Sequence, residues 1–452
     1  MTETIFALAT PPGRSAIQII RVSGPGAARA LRRLAGIVPP PREAKMVVFK
    51  DSHAQPLDQG MVLFFKGPAS ATGEDLAEFH LHGSPVLGRM VMGELEEIPG
   101  FRLAEPGEFT RRAFTEGKIN LDQAEAIGDI IDADTARQHH QAMAQLDGAL
   151  TKRTDEWRNR LISLSAHLEA IIDFADEELP GNVLETIRSG TASLIDEIEN
   201  ALSAASAGLI TRDGIKVALV GLPNAGKSTL LNALAGDERA IVSPEAGTTR
   251  DIIRVSLDIK GIPVHLVDTA GIRDTSNVVE KEGVRRALNA ASGASVVLVL
   301  VEQPTDHPAT VFHDIRQNIM KETGDQGGEP PHFLPVLTKT DLPSGKGPRP
   351  EWLMISAATG TGMDRLEKEL IRRIEDLTET TEPPILTRQR HLDALDIALS
   401  ALRSASLLDM EHSPELMAEE FRHAVHALGR LTGRVDVEDL LDHIFSSFCI
   451  GK

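Results

Sequence analysis

The stretch GLPNAGKST, residues 221–229, constrains this chain more than any other. It fits G-x-x-x-x-G-K-[ST] without a mismatch. It follows an apolar run, KVALVG (216–221), and opens into a helix-forming run, TLLNALAG (229–236). In a strand–loop–helix of this kind the glycines let backbone N–H groups close around phosphates, and the helix N-terminus favours their charge. Asn224, Ala225, Gly226, Lys227, Ser228 and Thr229 are therefore candidate nucleotide contacts. Lys227 is placed to reach the β- and γ-phosphate oxygens, and the Ser228 hydroxyl to ligate Mg²⁺. Further short apolar runs follow: PVHLVD (263–268), SVVLVLV (295–301), HFLPVLTK (332–339) and WLMIS (352–356). They read as buried parallel strands of an α/β domain.

Other pieces of a nucleotide site follow in chain order. GTTRD (247–251) supplies Thr249, placed to complete a Mg²⁺ shell. DTAG supplies Asp268 behind the metal, then Thr269, Ala270 and Gly271, with the glycine at the γ-phosphate. A glutamine next in line would orient the attacking water in a Ras-like GTPase. Here that residue is Ile272, which orients nothing. TKTD (338–341) follows a strand as a base-reading loop should, with Lys339 packing its stem over a purine and Asp341 accepting two hydrogen bonds from guanine. SAATG (356–360) adds Ser356, Ala357 and Ala358. Thr338 stands where such a loop usually carries asparagine, so the expectation is GTP over ATP with weakened affinity.

At 452 residues the chain exceeds the roughly 250–300 at which single cores stop growing, so several domains are expected. Its one cysteine, Cys449, rules out an internal disulfide and fits a reducing compartment. The N-terminus has no basic segment leading into a sustained apolar one, and no run approaches the ~20 residues of a membrane span. A soluble, cytoplasmic protein is the expectation. The net charge of −19 argues against nonspecific coating of nucleic acid, while leaving room for a local basic patch.

Three textures divide the sequence. Residues 1–119 alternate short apolar runs with Gly/Pro punctuation, as a mixed α/β domain does. From Asn120, with Gln123 three residues on in a capping box, helical spacing takes over through Leu121, Ala124, Ile127 and Ile131. A second helix carries Trp157, Leu161, Leu164, Leu168 and Ile172, with Pro180 marking the break after it. A third carries Leu194, Ile198 and Leu202 and ends near Gly208. Helical stripes return after TEPP (381–384), the last through Leu440, Leu441, Ile444, Phe445 and Phe448. The chain thus divides into an N-terminal domain (1–119), a helical domain in two parts (120–210 and 381–452) and an inserted α/β domain (211–380). The pairs His80/His82 and His139/His140 lack a convergent ligand set, and no zinc site is read from them.

Several stretches together are similar to the bacterial tRNA-modification GTPase family MnmE (TrmE). They are ATPPGRSAIQIIRVSG (9–24), TGEDLAEFHLHGSP (72–85), PGEFTRRAFTEGKINLDQAEAIGDIIDA (106–133), PNAGKSTLLNALAG (223–236) and IFSSFCIGK (444–452). The resemblance implies an N-terminal α+β domain that binds folate and dimerises, a discontinuous helical domain and an inserted Ras-like G domain. It implies that Asn224, with a loop running through Ser243, Pro244, Glu245, Ala246, Gly247 and Thr248, coordinates K⁺, the ligands coming from Asn224, Ser243, Glu245 and Thr248. Near the β/γ bridge such a cation offsets the charge an arginine finger would otherwise meet. It implies that Glu280 orients the water. Folate contacts carry over to Arg21, Glu78, Lys118 and Lys452, and Cys449 to the modification chemistry. Ser70-Ala71 stands where the family has Ser-Tyr, and the chain has no tyrosine, so some stacking on the folate is expected to be lost. The activity implied is modification of C5 of the wobble uridine in certain tRNAs, giving a carboxymethylaminomethyl or aminomethyl group. It would use 5-formyl-tetrahydrofolate or a related folate and an FAD- and NADH-dependent partner, MnmG (GidA), in a heterotetramer. The rival reading is an RNA-binding regulatory GTPase of ribosome assembly with no modification chemistry.

Overall fold

The computed structural model describes residues 3–173, 182–236, 239–241, 254–268, 291, 293–303, 307–325, 330–342, 351–380, 384–410, 412–435, 438–446, 448 and 450–451. Contacts divide the chain into two units. One holds residues 1–128, 145–192 and 396–452, the other 129–144 and 193–395.

The first unit contains a six-stranded sheet. Its strands are β1 (Thr4–Leu8), β2 (Ser15–Ser23), β3 (Lys45–Lys50), β4 (Pro56–Phe65), β5 (Leu76–Gly83) and β6 (Phe101–Leu103), in the order β3-β4-β5-β2-β1-β6. Only β1 and β6 are parallel. Alternation decides which face is which: in β2, Ile20 and Val22 are buried while Arg21 points to the other side. The inward set meets Leu31 and Leu34 from the helix Ala27–Ala35, and Val91 and Leu95 from the helix Pro85–Glu96. The same unit holds the helix Ala149–Asp173, with Trp157, Leu161, Leu164 and Leu168 buried at the expected spacing. Here Ile171 rather than Ile172 completes the stripe.

The expected capping box is present. The Asn120 carboxamide accepts from the Gln123 amide at 2.9 Å, and the Gln123 side chain accepts from the Asn120 amide at 3.1 Å. The helix it starts, Leu121–Asp132, is shorter than the helical texture suggested, and Ile131 is 45% exposed. Its buried residues are Leu121, Asp122, Ala124, Glu125 and Ala126. Pro180 lies outside the described residues. The third helix also differs from expectation. Val183–Ser203 gives way to Ala205–Asp213, and the run stops at Gly214 (φ 74°), not at Gly208. Gly208 is there for close packing: a Cβ on it would lie 2.0 Å from the Leu386 carbonyl oxygen. The last helix, Glu438–Ser446, ends before Phe448.

The second unit contains the seven-stranded sheet: β7 (Ile215–Gly221), β8 (Ala240–Ile241), β9 (Arg254–Ile259), β10 (Ile262–Asp268), β11 (Val296–Glu302), β12 (His332–Thr338) and β13 (Leu353–Met354). The order is β13-β12-β11-β7-β10-β9-β8, with β10, β7, β11, β12 and β13 parallel. Those strands are near-continuous apolar runs; Val296 to Val301 are all buried, as a sheet covered on both faces requires. The chain passes from β10 on one side of β7 to β11 on the other. That reversal opens a crevice at the carboxyl ends of the central strands, where α/β sheets bind ligands.

Candidate nucleotide site

The loop Leu222–Gly226 leaves β7 at that crevice and enters the helix Lys227–Ala235. Two residues hold left-handed backbone, Asn224 at φ 65° and Gly226 at φ 85°. For asparagine this is tolerable, since its short polar side chain is among the few that occupy the region. It leaves Asn224 exposed at the tip of the loop. Gly221 must be glycine, because a Cβ there would lie 2.3 Å from the Leu300 carbonyl oxygen of β11.

Lys227 is 7% exposed, and its ammonium donates to the carbonyls of Gly221 (2.7 Å) and Leu222 (2.9 Å). Burial pushes its pKa down, and the Asp268 charge partly opposes this. Asp268, 3% exposed at the end of β10, accepts from the Ser228 hydroxyl at 3.4 Å. A hydroxyl and a carboxylate at this separation are the hard oxygen donors Mg²⁺ prefers beside nucleotide phosphates.

The candidate base-reading residues line one cavity. This cavity, of about 260 Å³, is bounded on one side by Gly226, Thr229 and Leu230, and on the other by Thr338, Lys339, Asp341 and Ser356 to Ala358. Its wall thus joins the loop after β7, the loop after β12 and the segment after β13. Ser356 is fixed by its own turn, its amide donating to the Thr361 carbonyl at 2.8 Å and its hydroxyl accepting from the Thr359 amide.

The structure gives Thr338 a role that the sequence reading did not foresee. It is 4% exposed, and its hydroxyl donates to the Ala225 carbonyl at 2.8 Å. The side chain therefore ties the base-reading loop to the phosphate loop. Lys339, in left-handed backbone at φ 56°, donates to the Glu302 carboxylate at 2.6 Å. Glu302 was not legible as a site residue: it ends a buried strand and matches no motif.

Of the remaining nucleotide and cation candidates, Ser243, Pro244, Glu245, Ala246, Gly247, Thr248, Thr249, Thr269, Ala270, Gly271 and Glu280 lie outside the described residues, as does Ile272.

On the first unit, Arg21 and Glu78 are cross-strand neighbours in β2 and β5, and their side chains pair at 2.9 Å. Glu78 also faces His80 at 3.4 Å, and the Arg21 guanidinium lies 5.9 Å from the Phe109 ring. Lys118 is exposed just after the helix Glu108–Thr115; a Cβ on Gly73 would lie 3.5 Å from its Cγ. Cys449 and Lys452 lie outside the described residues. Their neighbours Ile450 and Gly451 are placed: Ile450 bridges to Pro106, and a Cβ on Gly451 would lie 2.2 Å from the Leu8 carbonyl oxygen.

Sequence reasoning also missed a buried ionic network beside this face. Arg112, 2% exposed, donates to the carboxylates of Glu74 (2.8 Å) and Glu108 (3.0 Å) and to the Glu3 carbonyl. Arg102 grips both oxygens of Glu108, at 2.7 and 2.8 Å. Burial alone would raise the Glu108 pKa. Hydrogen bonds from Arg102, the Glu105 amide and Arg112 outweigh it and hold the carboxyl at about 2.

A glycine-rich phosphate loop, an acid at the end of β10 and a base pocket on a mostly parallel sheet, carried on a chain with long flanking helices, define a P-loop GTPase with added domains. Comparison with known proteins makes the family specific. A family profile described as the MnmE helical domain matches residues 121–449, and one described as the GTP-binding protein TrmE N-terminus matches residues 4–118. The tRNA modification GTPase MnmE of Parvibaculum lavamentivorans is 46% identical over 458 aligned positions, covering 100% of both chains, and that of Paramagnetospirillum magneticum is 46% identical with the same coverage. Among solved structures, the G domain of the T. maritima FeoB iron transporter matches 36% of this chain and 99% of its own, at 23% identity and a TM-score of 0.26. The chain belongs to the MnmE family, which makes it a tRNA modification GTPase. Among the described residues no helix is long and apolar enough to cross a membrane.

Proposed function

We propose that this protein is a K⁺-stimulated GTPase of the cytoplasm that works as a homodimer with the FAD- and NADH-dependent partner MnmG. Together they install the carboxymethylaminomethyl or aminomethyl group at C5 of the wobble uridine in certain tRNAs. The division of labour follows the domains read from the sequence: folate and dimerisation at 1–119, the G domain at 211–380, and helical parts at 120–210 and 381–452 linking them. In the G domain, Lys227 would meet the phosphates, Ser228 and Thr249 would hold Mg²⁺ with Asp268 behind it, and Lys339 and Asp341 would take the base. Asn224, exposed on its left-handed turn, is the right kind of donor for K⁺, with Ser243, Glu245 and Thr248 completing the set. Bound there, the cation would offset charge developing between the β- and γ-phosphates. Glu280 would orient the water, the part Ile272 cannot play.

One observation carries the preference for modification over a purely regulatory GTPase. The segment flanking Cys449 docks on the N-terminal domain, with Gly451 against Leu8 and Ile450 bridged to Pro106. Ala7, next to Leu8 on β1, is the register partner of Arg21, the first of the folate candidates. A tail that carries a cysteine, docked on the domain that holds the folate candidates, would suit one-carbon chemistry on a base. Arg21 would face the folate carboxylates and Glu78 the pterin's donor edge. The test is mass analysis of wobble uridines in a strain lacking the protein. Loss of the modified nucleoside is expected; unchanged tRNA with accumulating ribosome precursors would favour the regulatory alternative.

A further inference from the structure

The last residue of β11, Glu302, stands opposite Thr338 in the parallel register of β11 and β12, one position from Lys339. Its carboxylate accepts from the Lys339 ammonium at 2.6 Å. Lys339 lines the base cavity together with Asp341 and Ser356, whereas Glu302 does not reach that cavity. Both side chains keep solvent access, 38% for Lys339 and 44% for Glu302, so the pair adds little to folding stability. Its effect lies in conformational freedom. An unheld lysine stem is among the side chains with most rotamer entropy to lose when it is ordered. A partner at the end of a rigid buried strand removes part of that loss before nucleotide arrives.

We propose that Glu302 is a positioning residue for the guanine nucleotide: it anchors the ammonium of Lys339 so that the lysine stem is already laid along the base pocket. This rests on the reading of Lys339 and Asp341 as the base contacts. Glu302 touches neither base nor phosphate and acts through Lys339 alone.

The experiment is displacement of a fluorescent GDP from the full-length protein, measured by stopped flow for wild type, Glu302→Ala, Glu302→Asp, Lys339→Ala and the double alanine variant. Glu302→Ala should release GDP about three- to tenfold faster, the range of a lost charge-assisted contact at a partly exposed site. Glu302→Asp should recover most of the loss. The KM for GTP should rise while turnover at saturation holds. In the Lys339→Ala background, Glu302→Ala should change nothing further, because the partner it acts through is gone. Unchanged release in Glu302→Ala, or an equal effect of that substitution with and without Lys339, overturns the inference. Asp341→Asn serves as the separate control: its amide should shift preference from guanine towards xanthine nucleotides. If that shift fails to appear, the reading of the base contacts falls, and this inference with it.

Discussion

Replacing Thr338 with valine removes one hydroxyl and leaves the shape of the side chain almost unchanged. That hydroxyl is buried and lies 2.8 Å from the Ala225 carbonyl and 3.4 Å from that of Val301. Its single hydrogen serves the nearer acceptor, so the lost bond is the one to the phosphate loop. An ordinary buried hydrogen bond contributes about 1 kcal/mol, and a carbonyl left orphaned away from water costs about 1–3 kcal/mol. Ala225 is itself buried, between two left-handed residues, Asn224 and Gly226, so its carbonyl has little freedom to find water. A loss of 1–2 kcal/mol borne by the nucleotide-ready loop corresponds to about 5–30-fold in nucleotide affinity. The expected result is faster release of GDP from Thr338→Val by that factor, with Thr338→Ser close to wild type because it restores the donor. Selectivity for guanine over adenine should be unchanged, since the Thr338 hydroxyl points at the phosphate loop. Release from Thr338→Val within twofold of wild type, or a serine variant as impaired as the valine one, would refute the tether. An altered guanine preference would show that the residue reads the base after all.

The remaining predictions concern other parts of the molecule. GTP hydrolysis should be fast in K⁺ and slow in Na⁺, and Asn224→Ala should abolish the difference; equal wild-type rates in the two salts would remove the ion from the mechanism. Glu280→Ala should bind GTP normally and lose most turnover, measured by phosphate release. Glu108→Gln should destabilise the N-terminal domain by about 3 kcal/mol, because buried Arg112 and its neighbour Arg102 lose a charged partner. Glu108 is depressed from an ordinary 4.5 to about 2, so the stability it contributes is complete above pH 4.5 and drains as the pH falls toward 2. Urea unfolding of wild type and Glu108→Gln should therefore converge through that window; a constant gap would contradict the assignment. Gly451→Ala must move the tail, since Gly451 has φ 102° and no room for a Cβ beside Leu8. The variant should keep GTPase activity and lose tRNA modification.

Much of the nucleotide site was legible because its parts are local. A phosphate loop takes its geometry from a few consecutive residues, and the sequence between KVALVG and TLLNALAG specifies strand, turn and helix without outside help. The same holds for the capping box at Asn120, where both hydrogen bonds span three residues. Helix limits were read less well, for an equally physical reason. Gly208 carries the residue type of a terminator, yet the structure uses it to let the chain near Leu386 come within van der Waals reach. Ile131 keeps helical spacing but faces solvent, because an isoleucine at the right interval needs a neighbour that the sequence alone does not supply.

What stayed hidden depends on residues that meet only after folding. Arg112 and Glu108 are one helical turn apart, but Glu74 joins them from a loop 38 positions away and the Glu3 carbonyl from 109 positions away. No spacing rule connects those four. Thr338 shows the complementary case. Read as a motif it was a defect, an asparagine missing from its place, and weaker binding followed from that. Its hydroxyl is 113 positions along the chain from Ala225, yet it is the group that joins the two loops of one site. A motif records which residue type usually performs a task. When the task is to hold one loop against another, a shorter donor performs it wherever the backbones come close enough, and here the Cβ of Thr338 lies within 3.7 Å of where a Cβ on Gly226 would stand. What the departure from the motif does to guanine binding is what the release rates of Thr338→Val and Thr338→Ser measure. On the proposals made above, the affinity of this site depends on the tether from Thr338 and the anchor on Lys339 as well as on the base-reading carboxylate.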